Sequence, residues 1–193
     1  MTTSSTSSRA GFTLIDIMVT IAVFAVIMAG ALPALINVSA GMKLGQGQRE
    51  VYQELQSARL MAVTSNRPIR VRFNCPAAGQ YRMTELIGST TSPVADDDAN
   101  DRCSVAKWAF PANDSNPTTR PNHDGPVRDL PALVTFGASS TLEFWPDGSV
   151  HKRVAAENPW TPVPVAGTAI TVVKGAIVKS ITVNGLGKIQ LVQ

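Results

Sequence analysis

The sequence predicts an α+β protein: a long N-terminal helix, membrane-spanning in its first half, packed on a mainly antiparallel β head domain. Three observations predict it. Residues 17–36 form an uncharged apolar run, matching the roughly 20 residues that cross a bilayer as a helix. Beyond it, Leu44, Gln48, Val51, Leu55, Ala58 and Ala62 recur at helical three- and four-residue spacing, giving one largely apolar stripe. From Pro68 onward the texture changes to short alternating segments separated by Gly, Pro and Asn. A chain of 193 residues suffices for one ordinary soluble domain plus an extra segment. Its net charge of +3 does not by itself single out nucleic acid or an anionic membrane surface as a partner.

Three structures compete for the first 40 residues: a plain membrane anchor, a cleavable secretory signal, and a short leader followed by a retained helix. For a secretory signal, Arg9 supplies the basic start and Val38-Ser39-Ala40 before Gly41 supplies small residues for a cut. Against it, the apolar run is longer than a usual signal core, and a carboxylate, Asp16, sits near its start. An acidic group near the end of a membrane helix costs up to a few kcal/mol unless paired, neutralised or drawn to the interface. A plain anchor gains nothing from it. A subunit docking against a neighbour's cation would, since low dielectric strengthens such a pair. The physics alone leaves both readings of Asp16 open, the docking pair and a carboxylate that reaches the headgroups.

The run Arg9-Ala10-Gly11-Phe12-Thr13-Leu14-Ile15-Asp16 resembles the signal of type IV pilins and pseudopilins. These have a hydrophilic leader ending in Gly, then Phe-Thr-Leu-Ile-Glu, then an apolar helix. The resemblance implies that a prepilin peptidase cuts between Gly11 and Phe12 and that Phe12 becomes the N-methylated terminus. It also implies that Asp16 pairs with the terminal amine of an adjacent subunit. Here the chain departs from the family, which usually carries Glu, one methylene longer.

Taken in order, residues 1–11 are the leader, 12–41 the membrane and assembly helix, 42–66 its amphipathic continuation, and 67–193 the head. As one helix, residues 12–65 would extend roughly 80 Å. Arg49, Glu50, Glu54 and Arg59 fall mainly off the apolar stripe, and Asn66-Arg67-Pro68 ends the helix. Pro33, Gly41, Gly45 and Gly47 interrupt it, proline at about 3 kcal/mol and each glycine at about 1 relative to alanine. They mark either a break or bend, or a segment that kinks or melts on filament assembly. Related pilins have a proline where Pro33 falls, which supports the second.

In the head, Ile69-Arg70-Val71-Arg72-Phe73 alternates apolar and basic residues, which predicts one buried and one solvated face. Residues 81–86 and 105–110 are weaker strand candidates. Residues 141–145 and 150–154 read as a hairpin around Pro146-Asp147-Gly148-Ser149, and 169–174 with 176–183 as another around Gly175. A last strand covers 188–192. Residues 89–101 are polar and acidic, and Pro111, Pro117, Pro121, Pro126 and Pro131 punctuate a segment whose composition predicts an exposed connection without strands.

The junction Ala58-Arg59-Leu60-Met61-Ala62-Val63 into Asn66-Arg67-Pro68-Ile69 resembles that of the type II secretion protein H (GspH) and FimT-type minor pilins. Leu142-Glu143-Phe144 with Asp147-Gly148, and Ile181-Thr182-Val183-Asn184 with Gly187-Lys188-Ile189, fit the same head type. The resemblance implies a minor pseudopilin of a type II secretion pseudopilus, or alternatively a minor type IV pilin in pilus assembly or DNA uptake. Its implied partners are other pilins or pseudopilins through the N-terminal helix, and the peptidase. Its implied location is a single pass through the bacterial inner membrane, the head in the periplasm or on the filament.

The remaining candidates are weighed from their chemistry. Cys75 and Cys103 lie in the part that would be outside the membrane, and if that part is exported to an oxidising compartment a disulfide is the leading reading. Four metal ligands with CxxC or HxxxH spacing are missing, so the sequence predicts no metal site and no cofactor. Asp96-Asp97-Asp98 lacks the Gly and Glu of a calcium loop and predicts a solvated acidic loop. Arg67, Arg70, Arg72 and Arg82 suggest a basic face, and Arg70, Arg72 and Lys188 are the candidate DNA contacts. DNA-binding relatives carry Gly-Arg-x-Arg near the C-terminus where this chain has Gly187-Lys188-Ile189-Gln190, which argues against that role. His123 and His151 stand in no nucleophile motif, so the sequence predicts no enzyme.

Overall fold

A computed structural model describes residues 13–89, 95–104, 108, 123–137, 139–154 and 159–192. The chain divides into two compact units at the Ala40/Gly41 boundary.

Helix α1 spans Leu14–Ser65. Residues 14–40 of it belong to the first unit, where every large apolar side chain that is described is exposed, from Leu14 and Phe24 to Leu35 and Ile36. This is the one helix among the described residues that is long and apolar enough to cross a membrane. Pro33 falls within the helical run, and its side chain lies outside the described set.

The second unit begins at Gly41 and contains the rest of α1. The predicted stripe is its buried face: Leu44, Val51, Leu55, Ala58 and Ala62 are fully buried, and the Gln48 amide donates to the carbonyls of Ser180 and Val192 at 2.7 and 2.9 Å. A Cβ on Gly47 would stand 3.2–3.5 Å from Pro131, Leu130 and Val134, so glycine there lets the chain at 130–134 lie close against the helix. Asn66 takes the left-handed conformation (φ 55°) and the Arg67 N–H donates to the Ala62 carbonyl, a Schellman-type end just before Pro68.

The strands, in chain order, are β1 Ile69–Phe73, β2 Gln80–Glu85, β3 Arg128–Asp129, β4 Thr135–Phe136, β5 Thr141–Phe144, β6 Val150–Arg153, β7 Thr161–Pro162, β8 Thr168–Lys174, β9 Ile177–Val183 and β10 Ile189–Val192. Between β2 and β3 lie the helical turn α2, Ala95–Asp98, and a 3-10 turn, Asn100–Cys103. One sheet has the order β3-β2-β1-β5-β6-β7, the other β10-β9-β8-β4, and all pairs are antiparallel. Inward residues of both sheets, among them Ile69, Val71, Leu142, Phe144, Ile170, Val172, Ile181 and Val183, join the helix stripe in one core.

Both predicted hairpins form. The β5–β6 turn closes through the Trp145 and Gly148 amides, with Gly148 at φ 85°, and β8 meets β9 around Gly175 at φ 58°. The strand expected at 105–110 lies outside the described residues except Trp108. The proline-rich segment needs correction, because β3 forms between Pro126 and Pro131. Its two residues pair with Gln80 and Tyr81 at the sheet edge, where only one side of a strand must bond.

Candidate functional site

Chemistry-bearing side chains gather in two places, one in each unit. The first is the start of α1, where Thr13 and Asp16 form a capping-box arrangement that serves helix amides otherwise without partners. The Thr13 N–H and hydroxyl donate to Asp16 Oδ2 at 3.1 and 2.6 Å, and the Asp16 N–H lies 3.4 Å from Thr13 Oγ1. Asp16 Oδ1 accepts no hydrogen bond among the described residues. Gly11 and Phe12 lie outside that set.

The second place is the outer face of the six-stranded sheet. Alternation in β1 predicts a solvated basic face there, and the structure corrects it, since Arg70 is 3% exposed and Arg82 and Arg102 are fully buried. The cover comes from residues 95–104 together with Asp124 and Trp160. Arg70 Nε donates to Glu143 Oε2 at 2.5 Å, directly across the β1–β5 pair, and its Nη1 reaches the Asp97 carbonyl and Asp98 Oδ1 at 2.9 and 2.8 Å. Arg153 grips the same Asp98 carboxylate with both terminal nitrogens. Trp160 faces both cations, 4.7 Å from each guanidinium carbon. Arg72 donates to the Ala99 carbonyl at 2.7 Å.

A second cluster adjoins the first. Arg72 stands opposite Arg82 in register, an unfavourable like-charge pair unless each finds other partners. Arg82 does so by donating to the carbonyls of Gly125 and Trp108 at 2.7 and 2.6 Å, with Asp124 at 3.7 Å. Arg102 forks onto Asp124 and the Glu85 carbonyl, and its guanidinium lies over the Trp108 ring at 4.3 Å. Asp97 accepts from the Ile87 and Gly88 amides at 2.7 and 3.0 Å, so the acidic stretch is anchored and half-hidden rather than the solvated loop its composition predicts. The disulfide Cys75–Cys103 ties the far end of this cover to the segment after β1.

Electrostatics follow from this packing. Burial pushes the Asp124 carboxyl up from its ordinary value, and Arg102 and Arg82 oppose that without cancelling it. Burial acts upward on Asp98 too, but Arg153 and Arg70 outweigh it and hold the carboxyl below the usual range. Burial, with Arg70 alongside, lowers the Arg72 guanidinium. In this layer the described arginines are turned toward carboxylates, carbonyls and tryptophan rings. It is a clasp within the chain, with most guanidinium donors engaged and Arg102 Nε buried without a hydrogen-bond partner among the described residues.

The candidate DNA contacts are therefore not brought together. Arg70 and Arg72 are half or wholly covered on β1, whereas Lys188 is exposed just before β10, in the other sheet. Arg67 is drawn to Glu85 at 3.3 Å. Among the described residues no group of three His, Cys, Asp or Glu is placed to hold a metal ion. Sequence reasoning missed Glu54, Glu143 and Asp124 as buried acids. The one available signal was Glu143 between Leu142 and Phe144, a lone charge in an apolar strand.

Comparisons with known proteins bear on both units. Residues 48–187 match the family model described as type II transport protein GspH, and residues 6–32 match the prokaryotic N-terminal methylation motif. Among solved structures, the chain is similar to the type IV minor pilin FimU of Pseudomonas aeruginosa, at 14% identity and TM-score 0.44 over 78% of this chain and 88% of that one. It is also similar to the minor pseudopilin EpsH from the type 2 secretion system of Vibrio cholerae, at 12% identity and TM-score 0.42 over 78% and 96%. No curated protein matches the sequence.

Proposed function

Because this chain belongs to the type II transport protein GspH family, we propose that it is a minor pseudopilin, a structural subunit of a type II secretion pseudopilus. The observation that carries the reading is the family match over the head, preceded in the same chain by the N-terminal methylation motif. In this reading residues 1–11 are removed after Gly11, and Phe12 is methylated. The apolar helix holds the subunit in the inner membrane until it joins other pilin-like subunits, with the head on the periplasmic side.

The exposed side chains of residues 14–40 supply the apolar surface for lipid first and for neighbouring helices afterwards. Asp16 directs that step. Its Oδ2 is held by Thr13, which fixes the carboxylate at the head of the helix, and Oδ1 is left for the terminal amine of an adjacent subunit. In a low-dielectric helix bundle such a pair is far stronger than in water. The clasp and the disulfide keep the head's outer sheet closed meanwhile.

The test is deletion of the gene in its host. Loss of exoprotein secretion into the medium, with surface pili retained, is expected. Loss of pili with secretion intact would overturn the secretion reading in favour of a minor type IV pilin.

A further inference from the structure

The clasp satisfies nearly all its charges, and one region of the head does not. Between residues 50–57 of α1 and the short edge strand β3 lies an open groove of ≈ 780 Å³, a size typical of clefts that take a ligand or several residues of chain. Among the described lining residues, Glu50, Glu54 and Asp129 stand against a single cation, Arg128. Glu54 is 3% exposed, and its Oε2 accepts from Arg128 Nε at 2.6 Å. Its Oε1 is buried with no partner among the described residues, a costly state for a carboxylate. Among the described residues, Glu50 and Asp129 accept only from the neutral amides of Gln46 and Gln80, at 2.9 and 2.8 Å. Burial raises the Tyr81 phenol well above its ordinary value, and Glu54, Glu50 and Asp129 add to the rise while Arg128 opposes it. Beside the groove, both residues of β3 are exposed at the outer edge of the sheet.

We propose that this groove binds a lysine- or arginine-bearing segment of another subunit, laid along β3 with its cation among Glu50, Glu54 and Asp129. The inference rests on the subunit reading above for the source of the segment, and on charge complementarity and the open strand edge for its chemistry. An extended segment at such an edge gains main-chain hydrogen bonds, while the acids select the side chain. A partner cation also relieves the excess of three carboxylates over Arg128.

The test is a titration of the full chain in detergent micelles with the peptide acetyl-Gly-Arg-Val-Arg-Gly-amide and its norleucine counterpart, read by amide shifts. The arginine peptide is expected to bind saturably, shifting residues 50–57 and 126–129. Binding should weaken about tenfold or more for the norleucine peptide and for the double variant Glu50→Gln/Asp129→Asn. That variant touches two groups at the groove's rim, so the buried Glu54–Arg128 pair and the fold stay intact. No binding, shifts elsewhere, or equal binding by both peptides or by the variant would overturn the proposal. The titration needs no filament, so a negative result condemns the groove alone. Failure of the subunit reading shows instead in secretion and processing.

Discussion

Along residues 14–40 the described large apolar side chains face outward, whereas in the unit Gly41–Gln193 Arg70, Arg82, Arg102, Asp124 and Glu143 are hidden from solvent. Both arrangements reverse the usual distribution of side chains, and they differ in what resolves them. Among the described residues of its own unit nothing covers the apolar surface, and in the proposed assembly lipid or other helices do so. The buried charges are resolved within the chain, by a cover drawn from residues 95–104, Asp124 and Trp160. The difference separates what the subunit offers from what it keeps closed.

The strongest way to break the closed side is to remove one member of it. Asp124→Ala leaves Arg102 and Arg82 buried without their carboxylate and is expected to destabilise the head by about 3–5 kcal/mol. Thermal unfolding of the full chain in micelles measures it. A loss below about 1 kcal/mol would mean the cover opens without resistance.

Next in size is the disulfide. Cys75→Ser with Cys103→Ser should cost about 2–4 kcal/mol, and amide exchange should rise first in residues 95–104. Protection there equal to the parent protein's would show that the ion pairs hold the cover alone.

The smallest effect is a pH dependence. Asp98 binds its proton less tightly folded than unfolded. Its stabilisation is therefore fully present above the ordinary carboxylate pKa and is lost as pH falls through the lowered folded value. Asp98→Asn should cost about 1 kcal/mol at neutral pH, discounted because a third of the side chain meets solvent, and nothing in strong acid. Glu54 and Asp124 carry the opposite sign, since burial raises both. An Asp98→Asn difference that grows on acidification would contradict the assignment.

The apolar run, the helix stripe and the hairpins are legible in the sequence, and the buried charges are not. The apolar run, the stripe from Leu44 to Ala62 and both hairpins announce themselves through local periodicity, because each residue's neighbours along the chain predict its face. The alternation in β1 was equally clear, and it misled. Arg70 and Arg72 read as solvent-facing because the residues that cover them come from Asp97, Asp98 and Ala99, far along the chain in a stretch whose composition suggests a loop. Glu54 falls off the helix stripe for the same reason, its partner Arg128 arriving from a two-residue strand too short to show a period. Gly47, read as an interruption, owes its place to the close approach of Pro131, which no local pattern encodes.

The central claim is that the N-terminal helix stays in the mature protein as its assembly surface. Intact-mass and N-terminal peptide analysis of the chain from membrane extracts tests it most directly. A mature protein beginning at Phe12 with one added N-methyl group is expected, and an uncut, unmethylated chain when Gly11→Ala is introduced. A mature protein beginning at Gly41, with the helix gone, would contradict it.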